Sequence, residues 1–160
     1  MGFMFLPIAA LSFFIALIAI EQNHSTSIAP MQKQVQAEIA GETFVAYRNA
    51  VMVYQQLNPS FTGTVSNAAL AAQSNTFSAE FLSQASNAIT NVGTSGKVIT
   101  SFATLPSGAL KAALNKTDND WSFGVSANTN WTSAAPNATP VPLATTVPTG
   151  SVVSVIQIGN

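Results

Sequence analysis

Eighteen consecutive residues without a charge, Phe3 to Ile20 in MGFMFLPIAALSFFIALIAIEQN, constrain this chain more than anything that follows them. As a helix the run would be about 27 Å long, close to the roughly 30 Å hydrocarbon core of a bilayer. Eleven of its residues are Leu, Ile or Phe. On an insertion scale these favour the membrane by about 3–7 kcal/mol, enough to outweigh Pro7 and Ser12. Residues 1–22 therefore read as a transmembrane anchor, carried by Phe5, Leu6, Ile8, Leu11, Phe13, Phe14, Ile15, Leu17, Ile18 and Ile20.

Two other uses of such a segment fit less well. A cleaved signal peptide needs a basic start, a shorter apolar run and an Ala-x-Ala-like end. Here no Lys or Arg precedes the run, and the candidate cleavage points after Ala19 and Ala29 are poor. A type IV pilin is cut after a Gly, leaving Phe first and Glu fifth. Gly2-Phe3 imitates the cut, but the leader would be Met-Gly, the fifth residue is Pro7, and no acid appears before Glu21. At the membrane edge Glu21 reads as a carboxylate reaching for water.

Orientation has few markers, because the first basic residue is Lys33. The polar surface beyond the anchor is supplied by Asn, Ser, Thr and Gln, which places the bulk of the chain outside the cytoplasm. Five basic and six acidic side chains, 7% charged residues in all, create too weak a field for a nucleic-acid partner or for docking on anionic lipid. With no cysteine there is neither a disulfide nor thiol chemistry. The sequons at Asn23, Asn115, Asn130 and Asn137 read as chance in so Asn-rich a chain.

Residues 23–31, NHSTSIAPM, read as a polar linker ahead of a domain from residue 32 to 160. The three- and four-residue spacing of Val35, Ile39, Thr43, Tyr47, Val51 and Tyr54 predicts a helix over 32–57. Phe44, Ala46 and Ala50 broaden its core-facing stripe, Gly41 weakens it, and Asn58-Pro59 ends it. Gln55 and Gln56 fall off the stripe and read as surface. VSNAALAAQ is a short helix or loop after the turn at NPSFTG, and SAEFLSQASNAITNV reads equally as helix or strand. GTSG predicts a hairpin turn into the strand KVITSFATL. Ser107 is placed to cap a short helix holding Leu110, Ala113 and Leu114. DWSFGVSA and NWTSAA suit a second hairpin, four prolines between Ala134 and Gly150 suit a sheet edge, and GSVVSVIQIGN suits a final strand. The fold class is α+β: an N-terminal transmembrane helix, then a long amphipathic helix packed on a small, mainly antiparallel sheet in a pilin-like periplasmic domain.

Chemistry-bearing residues are sparse. His24 is the only histidine and follows the apolar run directly, so it reads as an interfacial polar residue. Asp118 and Asp120 imitate the start of a calcium loop but lack the later Gly and Glu, leaving a solvated turn. Trp121 and Trp131 read as packing partners across the hairpin. No GxxxxGK[ST], GxSxG or GxGxxG pattern occurs.

Four stretches together resemble one family: YRNAVMVYQQLNPSFTGTVSNAAL (47–70), KVITSFATLPSGALKAAL (97–114), FGVSANTNW (123–131) and PLATTVPTGSVVSVI (142–156). They are similar to PilM, the small inner-membrane proteins of the thin, type IVb pilus systems of IncI-type conjugative plasmids. The resemblance covers most of the chain, and it rests on texture without a catalytic signature. It implies a single-pass protein of the bacterial inner membrane, with most of its chain periplasmic. It further implies a non-enzymatic role in pilus biogenesis, without metal, cofactor or small-molecule substrate. The expected partners are the membrane and other assembly subunits or a second copy. The alternatives are a minor pilin or pseudopilin entering the fibre and, less well supported, a secreted enzyme with a cleaved signal.

Overall fold

A single helix supplies one wall of the core and a six-stranded sheet the other. The computed structural model describes residues 5–73 and 77–159, with side chains from residue 30 onward. Helix α1 spans Phe5–Leu57, α2 Asn67–Ala71, α3 Ala79–Gln84 and α4 Ala109–Lys116. The strands are β1 Ala85–Val92, β2 Gly96–Ala103, β3 Phe123–Ala127, β4 Asn130–Ser133, β5 Val141–Pro142 and β6 Val152–Ile158. Every strand pair is antiparallel, in the order β1-β2-β6-β3-β4-β5. The α+β class with a long helix on an antiparallel sheet is therefore as the pattern predicts.

The chain separates into two units, Met1–Val35 and Gln36–Asn160. Residues 23–31, expected as a linker, have helical backbone within α1, with Pro30 inside it. Polar side chains do not end a helix, and at Pro30 the helix continues although one donor is lost and the ring crowds the carbonyl four residues earlier. Among the described residues no helix is long and apolar enough to cross a membrane. The ten side chains read as the anchor, and His24, lie outside the described side chains.

From Gln36 onward α1 buries Ala37, Gly41, Phe44, Val45, Tyr47, Arg48, Ala50, Val51 and Gln55. This differs from the expected stripe at both ends. Val35 is 50% exposed, Ile39 is 61% exposed and Thr43 only half-buried. Small residues take their place because α4 crosses close to the helix there. A methyl group on Gly41 would collide with the Ala109 carbonyl and come within 2.7 Å of Ala112 Cβ. Gly41, expected as a weakness, is thus what lets the two helices approach. At the other end Gln55 is 1% exposed, and its Nε2 donates to the Pro59 carbonyl at 3.0 Å. That bond ties the end of α1 to the turn beyond it, so Gln55 is core and the surface expectation is corrected. Gln56 is exposed as expected.

Aromatic rings fill the space under α1. Phe44 meets Phe123 edge-on at 5.9 Å, and Tyr47 meets Phe81 at 5.6 Å and Phe77 at 5.7 Å. Burying each such ring contributes about 1.5–3 kcal/mol, and each edge contact roughly 1 kcal/mol more. Ile89, Ile99, Val152 and Ile156 face them from the sheet.

The ambiguous stretch 78–92 is helix and then strand. Ser78 Oγ accepts from the Phe81 amide to start α3, and the chain turns extended at Ala85. Ser107 does not cap α4; Gly108 does, at φ +95° with no side-chain bond. The final strand β6 lies in mid-sheet between β2 and β3. Trp131 is buried while Trp121 is 48% exposed, and no ring contact joins them among the described residues.

Candidate interaction site

Two adjacent residues of α1 carry polar groups into the core and anchor loops there. Tyr47 accepts a hydrogen bond at its hydroxyl from Asn87 Nδ2 at 2.9 Å. The same amide donates to the Val65 carbonyl at 3.1 Å, while Asn87 Oδ1 accepts from the Val65 amide at 2.8 Å. Asn87 thus imitates a backbone partner for the segment before α2. Burial pushes the Tyr47 hydroxyl above its ordinary pKa, more than the bond from Asn87 lowers it. Arg48 sits over the Phe123 ring at 4.6 Å and donates from Nη1 to Asp120 Oδ2 at 2.5 Å and to Ser122 Oγ at 3.1 Å. Partial burial pushes Asp120 up, but the bonds from Arg48 and Ser122 outweigh it and hold the carboxyl below its usual range. Both constellations are internal ties: neither a nucleophile with a base nor a set of metal donors results.

The two sheet edges, β1 and β5, are of different kinds. On β1, Ile89 exchanges backbone bonds of 2.9 Å in both directions with Gly63. The opposite edge is the two-residue β5, with Pro142 in it and Pro136 and Pro140 just before it. Prolines and short strands on an edge resist pairing with another chain.

On the helical side α1, α3 and the β2–α4 connection enclose a groove of about 480 Å³. Ile39 and Thr43 line it from α1, Glu80, Phe81 and Gln84 from α3, and Leu105 from the connection. Thr43 is occupied with the Ile39 carbonyl at 2.7 Å, as Ser78 is with the cap of α3. The volume lies in the usual range for binding pockets. A second, smaller hollow of about 260 Å³ lies between α1 and α4, beside the exposed pair Glu42–Lys116.

The family model for PilM matches residues 10–155. The chain belongs to the PilM family. A solved PilM protein of Escherichia coli B7A is similar in structure, with a TM-score of 0.56 at 14% identity. The likeness covers 78% of this chain and 94% of that one, and at so low an identity it bears on the fold alone. No curated protein matches.

Within this PilM fold the residues singled out for chemistry are dispersed. Asp118 is exposed at φ +51°, while Asp120 turns inward to Arg48, so the two carboxylates share no site. Among the described residues no group of three or more His, Asp or Glu is placed to hold a metal. Sequence reasoning missed the Arg48–Asp120 tie, and a signal existed: an arginine beside Tyr47 inside an apolar stripe needs a buried acceptor. It also missed the groove, because Ile39 was assigned to the core.

Proposed function

We propose that this PilM-family chain is a non-enzymatic component of type IVb pilus biogenesis, held in the bacterial inner membrane by residues 1–22. Its domain acts in the periplasm through contacts with other assembly subunits. The observation that carries the reading is the family match over residues 10–155. The uncharged run Phe3 to Ile20 supports the anchor, and the short, proline-bearing β5 edge favours contacts through the helical side.

The test is removal of the gene followed by counting pili, with fractionation of the complemented strain. Loss of pili, with the protein in the inner-membrane fraction, is the expected result; normal piliation would refute the role. Replacing Ile15 with Lys puts a charge near mid-bilayer at a cost of about 3 kcal/mol. The variant protein should leave the membrane fraction or be degraded. Intact mass of the extracted protein separates this reading from a processed pilin, which would start at an N-methylated Phe3.

A further inference from the structure

We propose that the groove beside Ile39 seats a segment of a partner protein presenting an aliphatic or aromatic side chain next to a lysine or arginine. This deepens the reading above and rests on it. Ile39, Phe81 and Leu105 supply apolar walls, and Ile39 stands 61% exposed among the described residues. A side chain of that size left in water at a groove is surface that a partner can bury at about 25 cal/mol per Å². Glu80 is the one ionisable group on the lining. It is exposed, and it takes part in neither the Arg48–Asp120 nor the Glu42–Lys116 ion pair. A carboxylate beside an apolar hollow selects against acidic segments and for one that places a cation next to its apolar side chain. The hydroxyls of Thr43 and Ser78 are already engaged. The amide of Gln84, on the same side as Glu80, remains to meet the segment's backbone.

Random heptapeptides displayed on phage and selected on the full chain in detergent micelles test this. Expected is enrichment of Lys or Arg within two positions of Leu, Ile or Phe. On Glu80→Lys the preference should turn to Asp or Glu, and on Ile39→Asp it should vanish, with the melting temperature unchanged in both. A selected peptide, resynthesised, should bind Glu80→Gln about two- to fivefold more weakly, and Ile39→Asp roughly tenfold or more. No enrichment, enrichment without basic residues, or a preference that survives Glu80→Lys would overturn the proposal. Pilus counts separate its failure from that of the pilus role. If deletion abolishes pili but Glu80→Lys and Ile39→Asp restore them fully, the groove assignment falls and the pilus role stands. If deletion leaves pili intact, the role falls, and the peptide selection still decides the groove.

Discussion

Tyr47 and Arg48 are neighbours on α1, and both carry a polar tip into the domain, yet their surroundings differ. The Tyr47 hydroxyl ends among neutral groups, and the Asn87 side chain it meets uses both its amide and its carbonyl. The Arg48 guanidinium ends at a carboxylate that keeps about a third of its surface in water. A neutral tip can be enclosed once its hydrogen bonds are made, whereas enclosing a charge costs more than one partner returns. So the charged tie sits at the rim of the core, and the neutral one lies beneath the helix.

The harshest way to break the comparison is to put a charge where neither kind of partner exists. Val51 lies one turn beyond both residues and is fully buried. Val51→Asp should cost several kcal/mol, comparable to the whole stability of a domain this size. Melts of the full chain in detergent would show it, and a wild-type melt would refute the helix's buried face. Next comes Asn87→Leu, which strands the Val65 amide and carbonyl and the Tyr47 hydroxyl. Unmet buried groups cost about 1–3 kcal/mol each, so with three of them a loss of about 3 kcal/mol or more is expected. Arg48→Met keeps an apolar stem over Phe123 and leaves a carboxylate that water can reach. Its cost should be smaller, about 1 kcal/mol; a loss equal to that of Asn87→Leu would erase the difference between the two ties.

The two ties should also fail at opposite ends of the pH scale. Asp120 has its pKa lowered by folding, so its contribution is present above the unfolded value of about 4 and is lost as pH falls through the folded one. Tyr47 has its pKa raised, so its contribution is complete below about pH 10 and is lost as pH rises through the folded value. Melting temperature against pH should therefore droop at both ends. Asp120→Asn should flatten the acid limb and Tyr47→Phe the alkaline limb; a variant that flattens the wrong limb would contradict the assignment. The smallest effect is expected at the end of α1. Gln56→Asp, on the exposed side, should stay within about 0.5 kcal/mol. Gln55→Asp, at a buried side chain holding the Pro59 carbonyl, should cost several times more.

The pair of glutamines shows where one-dimensional reading stops. Spacing alone located the helix, its end at Asn58-Pro59, both hairpins and the proline-lined edge, because those depend on local backbone preferences and on period. Which side of α1 is buried at each level depends on what crosses it. That is set near Gly41 by α4, some seventy positions away, and at Gln55 by how the turn after Leu57 folds back on the helix. The same reason moved Ile39 from core to groove, put β6 in mid-sheet, and joined Arg48 to Asp120 across 72 positions. By itself the sequence determined the class of the domain, the apolar run at its start and the resemblance to PilM. Only the tertiary structure decided which polar groups are enclosed, which strands form the sheet edges and where an apolar surface is left open. Those outcomes follow from desolvation and close packing among elements that meet only when the chain has folded.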